Sequence, residues 1–299
     1  MRFDLTDLRL FLHVVESGSI TGGAEKAHMA LPSASARLRG MEEVIGLPLL
    51  ERGRRGVEPT PAGVTLVHHA RLVLRQIEAM HGELGEFSAG LRGQVRLLTN
   101  TGAMTEFLPR ALAGFLAAHP AVDIDLKERR SVDIVKAVTA GSADLGFISD
   151  AVDPGILYVE PFALDRLVLA VAKDNSLAGQ RRIAFAEALD FPFVGLSDNS
   201  PLQLLIDDHA SRAGRPLNVR VRLPGFGAIC RLVEAGVGVA VLPEAAVRRR
   251  RRSMALASLV LSDPWAVRRL AFCYRDLAGL PVHARALATH LRNSFSNTP

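Results

Sequence analysis

A chain of 299 residues with 48% hydrophobic content is long enough to bury more than one core, because single cores stop growing near this length. Its two cysteines, Cys230 and Cys273, exclude a multi-bridge disulfide scaffold, favour a reducing compartment and read as ordinary core residues. The formal net charge of +5 is modest, so the placement of the basic residues says more than their number.

Asp4, Asp7 and Glu16 interrupt the apolar residues of the N-terminus, which a secretory signal would not tolerate, and no uncharged apolar run approaches a bilayer span. A cytoplasmic protein without a membrane partner is expected. Thr6 is a suitable N-cap for a first helix, whose Leu8, Phe11, Leu12 and Val15 share one face. Ser17, Gly18 and Ser19 end it. Thr21 is placed to cap a second short helix reaching about Ala27, and His28, Met29 and Ala30 turn into a third that opens with Pro32.

On the third helix Ala34, Leu38, Met41 and Ile45 fall in one narrow stripe, the buried side. Pro32, Ala36 and Arg39 point away from it, with Ser33, Ser35 and Arg37 on the flanks. Small residues and arginines suit a DNA major groove, although the pattern alone fits an ordinary surface helix equally well. Residues 47–60 then have strand, glycine turn and strand character, with Arg52, Arg54 and Arg55 near the tip. A β-wing of this kind grips phosphates beside the groove, which fixes register and makes binding salt-dependent.

The ordered set Leu8 to Phe11, Val15 to Thr21, Ala24, Glu25, Ala27, Pro32, Ser35, Leu38, Arg39, Glu42, Glu43, Gly46 to Arg52 and Thr60 to Gly63 resembles the LysR-type family of bacterial transcriptional regulators. The resemblance covers nearly the whole chain. It implies a winged helix-turn-helix over residues 1–60, a dimerisation linker helix and hinge over 61–93, and an effector-binding domain over 94–299.

Three residues depart from the family's pattern near its DNA contacts: Leu31 stands for the usual glutamine, Ala36 for arginine and Ala30 for serine. Loss of the cap at Ala30 costs about 1 kcal/mol of local helix stability, and Gly22 and Gly23 cost about 1 kcal/mol each in propensity. The candidates for DNA affinity are Arg37, Arg39, Arg52, Arg54 and Arg55, with Pro32, Ser33, Ser35 and Ala36 facing bases. Thr21, Leu31 and Thr60 join them as positions the resemblance places at the DNA.

Pro61 opens the long helix, along which Leu66, Ala70, Val73, Ile77, Met80, Leu84 and Phe87 alternate steps of four and three, the a and d seam of a coiled coil. The chain's own body or a second copy would cover such a stripe. A homodimer is expected, because two wings must reach two half-sites, and a homotetramer is the further possibility. His68 and His69 on this helix lack metal spacing.

Beyond a hinge at residues 88–93 strands and helices alternate, which argues for an α/β domain whose ligand lies beyond the carboxyl ends of parallel strands. The predicted order is strand Val95 to Thr99, helix Glu106 to His119, strand Val122 to Leu126, helix Val132 to Ala140 and strand Leu145 to Ser149. Further strands are predicted near Leu167 to Ala172, Pro192 to Leu196, Val219 to Arg222 and Val239 to Leu242, with helices near Leu202 to Ala213 and Ala228 to Ala235. The resemblance implies two Rossmann-like lobes arranged like a periplasmic binding protein, one of residues 94–162 and 267–299 and the other of 163–266. The chain would cross between them near Pro161 to Leu164 and Trp265 to Arg268.

Loops that end on helix N-termini favour anions. Four such loops converge on the implied cleft and supply Asn100, Thr101 and Gly102, then Ser131, then Leu196, Ser197 and Asn199, then Phe226, with Thr101 and Ser131 matching hydroxyl positions of the family. The ligand is a small anionic effector; no other cofactor and no metal is implied. DNA, a second copy of the chain and RNA polymerase are the implied partners. Gly236 to Val241 lacks the third glycine of a dinucleotide loop, Arg248 to Arg252 reads as a solvated helix end, and Asp207, Asp208 and His209 accompany no nucleophile. No catalytic set is present, which sets an enzyme reading aside; a solute-binding protein would not explain the arginine wing.

Overall fold

The computed structural model describes residues 4–53, 56–89 and 91–296. The chain forms two compact units: one takes it up to Arg92, with short returns at Ala140–Ser142 and Leu280–Val282, and the other takes the remainder.

The first unit opens with helix α1 (Leu5–Ser17), followed by α2 (Ile20–Lys26) and α3 (Leu31–Ile45). Asp4, not Thr6, is the N-cap of α1: its carboxylate accepts from the Asp7 amide at 2.9 Å while the Asp7 carboxylate accepts from the Asp4 amide at 2.9 Å. This reciprocal box satisfies two amides at once, where a lone threonine satisfies one. Ser19, not Thr21, caps α2. Ala30 caps α3 without a side-chain bond, as its composition predicts. Strands β1 (Leu50–Gly53) and β2 (Gly56–Pro59) pair antiparallel as the wing, and α4 (Pro61–Ala89) follows.

Leu10, Phe11, Val14, Ala34, Leu38, Met41 and Leu49 are buried at the centre of this unit. Gly23 of α2 lies so close to α1 that a Cβ there would meet the Val14 backbone at 2.6 Å. Its poor helix propensity is therefore the condition for close helix packing. The Glu42 carboxylate accepts from the amides of Leu49 and Leu50 at 2.9 and 3.2 Å, and the Val57 amide donates to Gly18 at 2.8 Å, so both ends of the wing are anchored to the helices.

In the second unit the chain runs β3 (Gly93–Thr99), a π-helical turn at Ala103–Phe107, α5 (Leu108–Ala118), β4 (Val122–Glu128), α6 (Ser131–Thr139), β5 (Leu145–Ser149), β6 (Tyr158–Ala172), β7 (Arg182–Ile183), α7 (Phe185–Ala188), β8 (Phe193–Leu196) and α8 (Pro201–Arg212). It continues through β9 (Val219–Leu223), α9 (Phe226–Glu234), β10 (Ala240–Pro243), α10 (Glu244–Arg250), β11 (Leu256–Leu261), a 3₁₀ turn at Pro264–Ala266, β12 (Val267–Tyr274) and α11 (Val282–Ser296). The predicted helix from Glu106 is instead the π turn running into α5, because Pro109 supplies no amide to the first turn of α5.

Strands β4, β3 and β5 are parallel, β12 adds antiparallel to β5, and β6 adds antiparallel to β12, which makes the sheet mixed. The first half of β6 pairs with β12 up to Arg166, and from Leu167 onward β6 pairs with β10 and β11. The chain thus passes from one lobe to the other at Arg166 and Leu167, a few residues beyond the predicted crossing, and does so without leaving the strand. It returns at Val267, whose partner is Arg166. Strands β8 and β9 are parallel to each other, and a single parallel bridge links Phe193 of β8 to Val239, the residue before β10. The second lobe buries an apolar core around Leu169, Phe193, Ile229 and Leu259.

Candidate functional site

The exposed side of α3 presents Leu31, Pro32, Ser33, Ala36, Arg37 and Arg39, with Ser35 half-buried and Thr21 exposed on α2. Leu31 is 44% exposed, a large apolar side chain held in solvent at the start of the helix. Arg37 is not a free cation: it donates to Asp7 at 2.6 Å and to Asp4 at 3.5 Å, and these carboxylates hold its pKa above the ordinary arginine value. Arg39 forms no ion pair among the described residues. Thr60 corrects the expectation of a DNA contact. It is buried, its hydroxyl donates to the Pro48 carbonyl at 2.8 Å and accepts from the Gly63 amide at 3.0 Å, and it so caps α4 and ties the wing to it. Arg54 and Arg55 lie outside the described residues, as do the side chains of Arg52, Leu84 and Phe87.

The apolar stripe of α4 is divided in its use. Ala70 is buried in the core of the first unit and Leu66 packs against it, while Val73 and Met80 stand 43% and 46% exposed. Helical spacing placed all of them on one face; only the three-dimensional packing separates the end covered by the chain itself.

In the second unit, the carboxyl ends of the three parallel strands β3, β4 and β5 converge on a cavity of about 320 Å³. Asn100, Thr101, Arg130, Ser131, Ser149 and Val152 line one side, and Leu202, Leu205, His209 and Trp265 the other, with Arg268 between them. Of the predicted effector residues, Asn100, Thr101 and Ser131 meet here.

The other predicted effector residues do not line this cavity. Gly102 packs behind it, where a Cβ would come within 2.8 Å of the Asp165 carboxylate. Leu196 and Phe226 belong to the core of the second lobe, because strand β8 is apolar on both faces and α9 turns its first residue inward. Ser197 and Asn199 are exposed and outside the lining.

Hydrogen bonds define each polar group of the cavity. The Thr101 hydroxyl donates to Glu128 and accepts from the Leu202 amide at 3.3 Å, which satisfies an amide at the start of α8 from across the cleft. The Ser131 hydroxyl accepts from the Ser149 amide at 3.2 Å and lies 3.5 Å from the Ser149 hydroxyl, a contact in which either oxygen can donate, so the pair keeps one proton for a ligand. The Asn100 carbonyl oxygen accepts from the Ala103 amide at 2.9 Å, and its buried Nδ2 has no partner among the described residues. Arg268 Nη2 donates to Asp165, while its buried Nε has no partner among the described residues, and neither has the Ser200 hydroxyl. His209 stacks on Trp265 with ring centres 4.1 Å apart at 11°. Burial, then the nearby charge of Arg212, lowers the His209 pKa.

Ser149, Arg268, Trp265 and His209 were missed in the sequence. Ser149 ends a strand and was within reach of the carboxyl-end rule, whereas Arg268 and Asp165 are 103 residues apart and meet only through strand pairing. On the far side of α10, Arg248 and Arg249 are exposed, and Arg249 pairs with the buried Glu106, whose pKa is raised by burial against that charge. Among the described residues no group of His, Cys, Asp and Glu could hold a metal, and no helix is long and apolar enough to cross a membrane.

Comparison with known proteins accounts for both units. Residues 5–64 match the family model of the bacterial regulatory helix-turn-helix protein, lysR family, and residues 88–296 match the LysR substrate binding domain. A curated relative, a probable hydrogen peroxide-inducible genes activator of Streptomyces viridosporus, is 27% identical over 99% of this chain and 95% of its own. The fold is similar to that of a full-length OxyR variant from Pseudomonas aeruginosa, with a TM-score of 0.68 at 20% identity over 99% of this chain and 96% of that one. It is also similar to full-length CbnR complexed with its target DNA, with a TM-score of 0.60 at 20% identity over 98% of this chain and all of that one. An exposed α3 beside an anchored wing, a mixed α/β body with a cavity at its strand ends, and family matches across both place this chain in the LysR family of DNA-binding transcriptional regulators, not among enzymes.

Proposed function

We propose that this chain is a cytoplasmic, ligand-responsive regulator that binds an interrupted palindrome as a dimer or tetramer and answers to a small anionic metabolite. The carrying observation is the cavity at the ends of β3, β4 and β5, where Asn100, Arg268 and the Ser131–Ser149 hydroxyl pair offer donors that an anion would accept. Residues 1–60 read DNA, 61–93 join two copies, and 94–299 bind the effector in two lobes that exchange the chain at Arg166 and Val267.

Bases are met by Pro32, Ser33, Ser35 and Ala36, with Thr21 and Leu31 beside them, and phosphates by Arg39 and the wing arginines Arg52, Arg54 and Arg55. Val73, Ile77 and Met80, continued by Leu84 and Phe87, form the seam with the second copy. RNA polymerase is the partner through which transcription changes. An effector that prefers a closed cleft shifts the lobes and, with them, the spacing of the wings.

Peroxide, named for the Streptomyces relative, is the less favoured signal. Thiol oxidation needs an accessible thiolate, whereas Cys230 and Cys273 are buried; burial raises the pKa of both, that of Cys273 to about 12.

The test is a titration of the full chain against DNA from upstream of its own gene at several salt concentrations, with sedimentation to give the number of copies bound. Selective, salt-sensitive binding by two or four copies is the expected result. A single copy that binds all duplexes alike overturns the reading.

A further inference from the structure

Arg268 lies on β12 directly opposite Asp165 on β6, the strands along which the chain passes between the lobes, and Asp165 immediately precedes the crossing at Arg166 and Leu167. The pair is almost fully enclosed, with side chains 8% and 3% exposed. A guanidinium offers five N–H donors in a fixed fork. Asp165 takes Nη2, and Nε is left buried and without a partner among the described residues, in a side chain that lines the cavity. A buried donor left unmade costs free energy, so such a group marks a place where something else is to be bound.

Asn100 repeats the pattern. Its Oδ1 is fixed by the Ala103 amide, which decides the orientation of the amide and commits Nδ2 elsewhere, and Nδ2 is likewise buried and unpartnered. Ser131 and Ser149 together add one hydroxyl proton, since the Ser131 oxygen accepts from the Ser149 amide and the two hydroxyls, 3.5 Å apart, spend one proton between them. These are three donors with one formal charge, and the exposed Arg130 at the same cavity supplies a second positive charge. The remaining lining is apolar or flat: Val132, Val152, Leu205 and the Trp265 ring stacked on His209.

We infer that Arg268 is the charge anchor of the effector, that the effector is a carboxylate with a flat apolar body, and that the anchor ties ligand to hinge through Asp165. This rests on the effector cleft proposed above. A carboxylate that draws the guanidinium toward the cavity alters its hold on Asp165, and so acts on the strand pair that joins the lobes. The ligand then distinguishes lobe arrangements through one charged group, the differential contact that any ligand-driven shift requires.

The experiment is thermal unfolding of the full chain with nicotinate, with its neutral isostere nicotinamide and with inorganic phosphate. Arg268→Lys keeps the charge but loses the fork, and the double variant D165N/R268Q removes both partners so that neither charge is left buried alone. Nicotinate is expected to stabilise the wild-type chain well beyond nicotinamide and phosphate. In Arg268→Lys its half-saturating concentration rises about tenfold or more, and in D165N/R268Q acid and amide act alike. If Arg268→Lys responds as the wild type does, the anchor assignment falls and the cleft reading stands. If phosphate matches nicotinate, the flat carboxylate class falls. If none of the three moves the wild-type chain, the anionic-cleft reading falls with both.

Discussion

The two oxygens of the Asp7 carboxylate do different work: Oδ2 accepts from the Asp4 amide at 2.9 Å, and Oδ1 receives Arg37 at 2.6 Å. Helix α3 is thereby pinned to the capped start of α1 by a residue that its sequence offers as a DNA contact. The adjoining acidic pair offsets the charge of Arg37 on the exposed face of α3, and Arg39 carries what remains there. Replacing Arg39 with Gln is expected to weaken DNA binding about evenly across sequences and to reduce the slope of log affinity on log salt by about 1. Arg37→Gln is expected to leave that slope unchanged and to lower the melting temperature of the chain slightly. Titrations over a salt series, beside thermal melts, separate the two.

Gly23→Ala sets two effects against each other. Propensity alone favours the alanine by about 1 kcal/mol. The added Cβ, however, would meet Val14 backbone atoms at 2.6 and 2.7 Å, and backbone cannot step aside as a side-chain tip can. Overpacking of this kind costs about 1–3 kcal/mol, so net destabilisation is expected in chemical denaturation. A gain in stability would show that α1 and α2 are free to separate.

Thr60→Val keeps the shape of the side chain but removes the donor to Pro48 and the acceptor for Gly63. Loss of this cap is expected to cost about 0.5–2 kcal/mol of stability with the salt slope of DNA binding unaltered. A fall in that slope would restore Thr60 to the DNA-contacting set.

His209 gives a pH dependence of definite sign. Its folded pKa lies below the ordinary value of 6.5, mainly through burial, so the unfolded chain binds the proton more readily. The contribution of His209 to stability is present above pH 6.5 and is lost as pH falls through the lower, folded value. His209→Gln is expected to flatten the decline in melting temperature on the acid side of 6.5. Glu160, whose pKa the Arg292 hydrogen bond lowers, acts in a separate window below its ordinary value of 4.5. An unchanged profile in the His209 variant would mean that the imidazole titrates as in water.

Much of the architecture was legible because it rests on local regularities. The stripe of Ala34, Leu38 and Met41 is buried in the structure, β5 spans the predicted Leu145 to Ser149, and Pro61 opens the long helix. The cleft was legible only in part. Asn100, Thr101 and Ser131 follow strand ends, which a strand prediction locates, whereas Leu196 closes β8 and Phe226 opens α9, and both turn into the core. Arg268, Trp265 and His209 come from three elements that meet only after the chain has crossed back, and no spacing along the sequence encodes that meeting. Asp4 and Ser19 were passed over as caps in favour of neighbouring threonines because cap identity depends on where the backbone first becomes helical, a boundary that residue type fixes only to within a few positions.

The fifteen residues of β6, shared between two sheets, govern how this molecule can be taken apart. Neither lobe owns the strand, so a fragment ending near Arg166 would keep a sheet whose return partner β12 is missing, and one beginning there would expose a row of open amides and carbonyls along its margin. Dissection of the effector domain into halves is therefore a recipe for aggregation, and the smallest portion suited to separate expression runs from the start of β3 through the end of α11.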